Sequence, residues 1–298
     1  MPYRFDPTRD LQSNLRQVAA DVMEAALTDL GLSVDDPCRS AHQIRKGMKR
    51  LRALLRLLRS GLGDTYETEN AAAREIARLF APLREADVLV ATLDALAAEG
   101  DPRGRATLAP LQDWAGARRQ EARDALGADE IEHARALMES LRKRATAWEL
   151  EGDAALTAGL KRTYERARHH HAALQADGGN SVRRHQWRKQ VKYHCHHCEL
   201  LEPAWPDAIG ARHALAAEIG EALGADHDMA DCRAALARVA EDDPAIAALP
   251  LAGTLAERAG AALQLEAMAR APLLFQEKPK RLARRLSGYW DHAARHAR

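Results

Sequence analysis

The sequence predicts an all-α protein, and three observations carry that prediction. Aromatic residues make up only 4% of the 298 positions, while Ala, Leu, Arg and Glu abound. Few stretches show the Val, Ile and Thr alternation of a half-buried strand. Apolar residues recur instead at helical spacing, most clearly in HQIRKGMKRLRALLRLLR, residues 42–59. There a step of about 100° per residue sets Ile44, Met48, Leu51, Leu55 and Leu58 on one side.

In chain order, periodicity and punctuation predict helices near 9–31, 39–60 and 65–99, the last interrupted around Pro82, then 104–126 and 129–149. Glu151-Gly152-Asp153 breaks the pattern and separates a half of residues 1–150 from a half of residues 151–298, a division the chain length allows. Further helices are predicted near 154–175, 180–202, 207–223, 226–240, 245–271 and 278–296. QADGGN, residues 175–180, is the clearest turn, since paired glycines supply unusual backbone angles and Asn180 or Ser181 can cap the next helix. No run approaches the ~20 apolar residues of a membrane span, and no basic-then-apolar leader is present. The expectation is a soluble, cytoplasmic protein, away from membranes, with Cys38, Cys195, Cys198 and Cys232 reduced.

The net charge of +1 does not announce a polyanion partner, but the distribution of charge does. Residues 39–59 hold eight Lys and Arg and no acid, whereas acids outnumber bases over residues 207–243. On the helix of residues 42–59, His42, Arg45, Lys46, Lys49, Arg52 and Arg56 share one face. Solvated helix faces normally mix both signs, because opposite charges at i, i+4 stabilise them. A face of one sign repels itself and calls for an outside counter-charge.

The basic stretch occurs twice. HQWRKQVKYHC, residues 185–195, aligns without a gap on HQIRKGMKRLR, residues 42–52, so that His185, Gln186, Arg188, Lys189 and Lys192 match His42, Gln43, Arg45, Lys46 and Lys49 at one offset of 143 residues. That is an internal repeat of nearly half the chain. A second echo pairs LREADVLVATL, from Leu83, with ADHDMADCRAAL, from Ala225; setting Asp87 against Asp228 needs a slip of two residues. Two helical halves related by a pseudo-twofold would bring the two basic helices to one shared groove.

This pattern, His followed by Arg-Lys and then Lys at three-residue steps, repeated in two helical halves and followed by an Asp-bearing helix, resembles the CHAD family, the conserved histidine α-helical domain. The resemblance runs from the YRFDP opening to the GYW near the C-terminus. It implies two repeated antiparallel four-helix bundles about a central basic groove or pore, and binding of inorganic polyphosphate without catalysis. Polyphosphate granules are the location such a ligand implies. Carried over by position, the ligand-binding set is His42, Arg45, Lys46, Lys49, Arg50, Arg52 and Arg56 from the first helix and His185, Arg188, Lys189 and Lys192 from the second. The second departs downstream, where Tyr193, Cys195 and Glu199 stand at the places of Arg50, Arg52 and Arg56. Arg162 and Arg166 extend the expected surface, with Lys161, Arg168, Arg183 and Arg184 beside them and Arg84 and Arg285 as weaker candidates. The family likeness also suggests that Asp87 and Asp228 orient cations and do not touch ligand.

The chemistry suits such a ligand. A phosphate chain offers evenly spaced charges and no base edges, so it is recognised by Lys point charges and Arg forks climbing one helix face. His42 and His185, ordinarily near ~6.5, would be biased toward protonation by a polyanion and away from it by neighbouring cations.

Competing readings are weaker. His194, Cys195, His196, His197 and Cys198 mimic a zinc site, but His194 and Cys198 share the face of Val191 and Leu201 and four ligands do not converge. His169, His170 and His171 spread around their helix and read as exposed. His227-Asp228, with His196 and Asp231 or Asp291, allows a metal phosphohydrolase of the HD type; the repeat explains that dipeptide better. Phosphate-binding glycine loops, the nucleophile elbow and H-E-x-x-H are absent. Nucleic acid is disfavoured because few aromatics lie among the cations, and Trp187 is on an apolar side. No enzyme activity, metal or cofactor is expected.

Overall fold

The computed structural model describes residues 3–99, 102–152, 154–177, 181–241 and 243–297. Among them are twelve α-helices and two 3-10 turns, with no strand. Helix α1 (Leu11–Gly31) is capped by Asp10, whose carboxylate accepts from the Ser13 amide at 2.7 Å. Helix α2 (Pro37–Leu57) begins earlier than expected, because Asp36 caps it through the Arg39 amide at 3.1 Å and Pro37 fits the first turn. A short α3 (Arg59–Leu62) leads into α4 (Asp64–Leu79), α5 (Ala81–Glu99), α6 (Pro102–Asp124) and α7 (Ala128–Ala145). The break between α4 and α5 falls where Pro82, lacking an amide proton, suits a first turn and not a helix interior.

The second half contains α8 (Ala155–Asp177), α9 (Ser181–Leu201), α10 (Pro206–Leu236), α11 (Leu249–Leu274) and α12 (Pro279–His296). The two helices expected at 207–223 and 226–240 are one. At the place of Pro82 the repeat has Ala225, and Gly224 alone costs only about 1 kcal/mol in a packed helix. Asp153 and the end of QADGGN, including the cap expected at Asn180, lie outside the described residues.

Two hydrophobic clusters hold the helices, and each draws on both halves. The larger joins Leu15, Ile44, Met48, Leu51 and Tyr66 to Tyr164, Trp187, Val191, Leu201 and Trp290. The smaller joins Leu93, Leu96, Leu108 and Leu111 of α5 and α6 to Cys232, Leu236, Ala252 and Ala256 of α10 and α11. The apolar stripe of α2, Ile44, Met48, Leu51, Leu55 and Leu58, is wholly buried. At about 1.5–3 kcal/mol per buried side chain, burial of that stripe stabilises α2 and fixes the cations it carries in place.

Close approach of the halves depends on a glycine. A Cβ on Gly159 of α8 would overlap the Leu57 carbonyl at the end of α2. The N-terminal segment then straps the halves: the Tyr3 hydroxyl donates to the Arg50 carbonyl at 2.6 Å and the Phe5 amide to the Leu200 carbonyl at 2.8 Å.

Candidate functional site

Helices α2 and α9 meet near Ala53, whose carbonyl accepts from His197 Nε2 at 3.0 Å. Arg50 forms an ion pair with Glu199, and the Arg56 guanidinium lies over the Tyr193 ring, 4.5 Å from its centroid. Under the 143-residue offset, Glu199 is the counterpart of Arg56 and Tyr193 of Arg50, so the two contacts are reciprocal. Arg52 donates from Nε to Asn70 Oδ1 of α4 at 3.1 Å. The structure thus gives Arg50, Arg52 and Arg56 of the expected set protein partners, through which they brace α2 against α9 and α4.

The remaining cations of α2 meet those of α9. Arg45 donates from Nη1 to the Ala77 carbonyl in the last turn of α4, at 2.7 Å. In the second half α10 packs along α9 and supplies a trough. A Cβ on Gly220 would stand 3.0 Å from Lys192 Cδ, and one on Gly224 would stand 3.8 Å from the Arg188 guanidinium. Glycine at these two positions, one helical turn apart, lets Arg188 and Lys192, also one turn apart, lie flat on the α10 backbone. Beyond them the His185 and His227 rings approach to 4.4 Å between centroids, and Arg184 pairs with Asp226 at 3.1 Å.

The charges place these groups in one field. Burial, then Arg188, Arg45, Arg84 and Lys192, bring the Lys49 ammonium down to about 8. Burial also lowers Lys192, with Arg188 and Lys46 adding to the shift. Burial, then Lys189, His227 and Arg188, push His185 down to about 4; burial, Arg188, Lys189 and Lys49 do the same to His227, also to about 4. His42 is lowered by burial, Arg84, Lys46 and Lys49. Among the described residues no carboxylate stands within ion-pair distance of Lys46, Lys49, Arg188, Lys189 or Lys192. The Nε atoms of Arg45 and Arg188 are buried without a hydrogen-bond partner. The molecule therefore holds cations from α2, α5 and α9 together against their own repulsion.

Acids surround the cluster in a register that differs from the expected echo. Glu85 acts on Arg45 as Asp228 acts on Arg188, and these two acids stand at the same 143-residue offset as the arginines. Asp228 thus matches Glu85 and not Asp87, and no two-residue slip is needed. Asp87 pairs with Arg84 at 2.6 Å, while Asp231 pairs with His227 at 3.4 Å. Arg84, a weaker candidate by sequence, belongs to the cluster, and His227 occupies its place in the second half. A signal for both exists in the chain: Arg84 and His227 are counterparts at the offset that aligns the basic helices.

Arg162 and Arg166 are exposed on α8, and Arg166 acts on His170 together with Arg183. His171, expected to be exposed, is buried between the rings of Trp187 and Phe275 at 5.3 Å from each. It continues the apolar spacing of Leu160, Tyr164, Ala167 and Leu174, which a count along α8 reveals. His194 is buried and accepts from Arg212 Nε at 2.9 Å, with Cys198 Sγ 3.7 Å away. His196 contacts Glu199 at 3.2 Å. Among the described residues no three His, Cys, Asp or Glu side chains are grouped as a metal ion requires.

Fold and site together define an all-helical protein with basic side chains gathered where α2 and α9 meet. The chain belongs to the CHAD domain family, whose sequence profile matches residues 9–237. PptA from Streptomyces chartreusis shares the fold at a TM-score of 0.64 and 20% identity, over 89% of this chain and 99% of that one. The CHAD domain from the plant Ricinus communis does so at a TM-score of 0.57 and 18% identity, over 95% and 93%. No curated protein matches the sequence.

Proposed function

We propose that the protein binds inorganic polyphosphate, without hydrolysing it, in a groove lined by Arg45, Lys46, Lys49, Arg188, Lys189 and Lys192, with Arg84, His42 and His185 at its edges. The observation that carries this reading is that Lys49, Arg188 and Lys192 are held together with no carboxylate at ion-pair distance among the described residues. A phosphate chain removes that repulsion and supplies acceptors to the exposed Lys and Arg donors of the groove. Reciprocal contacts between α2 and α9 support a local twofold through their crossing, which suits a ligand with no strong polarity along its length. Among the described residues no helix is long and apolar enough to cross a membrane. A cytoplasmic protein with this affinity would gather on polyphosphate granules.

The test is a titration with long-chain polyphosphate and with single- and double-stranded DNA, at matched phosphate concentration and near-physiological salt, with free phosphate monitored. The expected result is tight binding that prefers polyphosphate and releases no phosphate. Equal affinity for DNA would reduce the groove to a general polyanion site, and phosphate release with Mg²⁺ or Mn²⁺ would make the protein a hydrolase.

A further inference from the structure

A second basic helix face lies on α12, beyond the residues that the family profile matches. The apolar side of α12, with Leu282, Leu286 and Trp290, is buried in the larger hydrophobic cluster. Two ridges climb the opposite side at steps of three and four residues. One reads Lys280, Arg284, Gly288, Asp291 and Arg295, all exposed and with a single acid. Among the described residues no carboxylate stands within ion-pair distance of Lys280, Arg284 or Arg295. The other ridge reads Arg281, Arg285, Tyr289, His292 and His296, so that rings follow cations along one line. Its parts touch. His292 and His296 stack with centroids 4.1 Å apart, and the Arg285 guanidinium, held by Glu277, lies 5.5 Å from the Tyr289 centroid. Trp205, just before α10, meets Tyr289 edge to face at 4.7 Å and yet is 49% exposed, whereas the other four tryptophans are buried or half-buried.

We infer that this face of α12, together with Trp205, binds single-stranded nucleic acid, with bases stacked on the ridge of rings and phosphates held by Lys280, Arg284 and Arg295. Cations alone would attract any polyanion. Rings beside them select a ligand with flat faces of its own, because base–aromatic stacking contributes for every base regardless of sequence. A polyphosphate chain has no such face, and a duplex keeps its base faces stacked inside. A membrane surface fits less well, since the outward side of α12 carries no Leu, Ile, Val or Phe to enter the acyl boundary. From Lys280 to Arg295 the ridges run for about 22 Å, which suits the short end of single-strand site sizes, about four nucleotides. The inference concerns α12 and Trp205 and does not depend on what the groove between α2 and α9 holds.

The experiment titrates the full chain with a labelled DNA single strand of about twelve nucleotides, with its duplex, with the same sugar–phosphate strand lacking bases, and with phosphatidylglycerol vesicles, reading anisotropy and tryptophan fluorescence. The single strand is expected to bind at least about ten-fold tighter than the duplex or the baseless strand, and to quench Trp205. Trp205→Ala should cost about ten-fold in single-strand affinity and nothing with the baseless strand, while Trp205→Phe, which keeps a ring, retains most of it. Arg284→Glu, Arg295→Glu, at exposed positions, should weaken binding of the single strand with the helical spectrum by circular dichroism unchanged. Lys49→Glu, Arg188→Glu in the groove should leave single-strand binding intact, which separates failure of this inference from failure of the polyphosphate reading. Equal affinity for the single and the baseless strand, a preference for the vesicles, full single-strand affinity in the Trp205→Ala or the Arg284→Glu, Arg295→Glu chain, or its loss in the folded groove variant would each overturn the inference.

Discussion

At the scale of single residues, Lys49 concentrates the conflict between stability and binding. Burial and four cations disfavour its charged form in the free protein, and a polyanion restores it. Lys49→Gln is therefore expected to weaken polyphosphate binding about ten-fold, the loss of one charge-assisted contact, while raising Tm by about 2 °C. Calorimetric titration and thermal unfolding check the two halves of that statement; a fall in both quantities would show that Lys49 is structural. The pH dependence has a definite sign. Above about 8 Lys49 loses its proton, so affinity should fall as pH rises from 7 to 9. In the free protein His185 and His227 stay neutral down to about 4, and a bound polyanion raises both, so affinity should climb again as pH drops toward 5. Constant affinity from pH 5.5 to 9 would contradict both assignments. Folding responds in the opposite sense. The folded pKa values of His185, His227 and His197, the last at about 3, lie below the ~6.5 of an unfolded histidine, so stability is full above 6.5 and is lost as pH falls toward 4.

Residue roles are legible in the chain in unequal measure. The matched spacing of His42, Arg45, Lys46 and Lys49 with His185, Arg188, Lys189 and Lys192 is a sequence property, and the structure brings those cations into one field. The partners of Arg50, Arg52 and Arg56 are not legible, because Glu199 is 149 residues from Arg50 and pairing at that distance depends on how the helices cross. His171 escapes a reading by residue type, which treats three consecutive histidines alike; the position of the third on the Leu160-to-Leu174 stripe decides its burial.

At the scale of elements, α10 positions the ligand-facing side chains of α9. The Gly220 and Gly224 trough lets Lys192 and Arg188 lie along it. Gly220→Leu is expected to lift Lys192 and weaken polyphosphate binding by about five- to ten-fold; helicity by circular dichroism should stay unchanged, since Leu favours helix over Gly by about 1 kcal/mol and the displaced atoms are the flexible end of a lysine. Unchanged affinity would remove the trough from the site. The α2–α8 contact is the opposite case. Gly159→Ala sets a Cβ against backbone at Leu57, so it should destabilise the fold by about 2 kcal/mol or more, measured by urea unfolding. Element boundaries show why one rule does not serve both halves: Pro82 ends α4 and starts α5, while Ala225 and Gly224 leave α10 continuous. The 143-residue offset aligns the basic stretches but not the residue that punctuates the helices after them.

At the scale of the whole molecule, both hydrophobic clusters are built from both halves, and the basic helices meet between them. A chain with net charge +1 thereby holds a strongly positive field at one place. Binding there should be dominated by counterion release: six cations correspond to a slope of about −4 to −5 in log K against log salt, or about 250- to 1,000-fold between roughly 50 and 200 mM. The most direct test of the shared groove is polyphosphate titration of the Arg45→Glu, Lys49→Glu, Arg188→Glu, Lys192→Glu variant beside the parent chain, with circular dichroism on both. Loss of binding with the helical spectrum retained is the expected result. Retained affinity in a folded variant would show that polyphosphate does not bind where α2 and α9 meet.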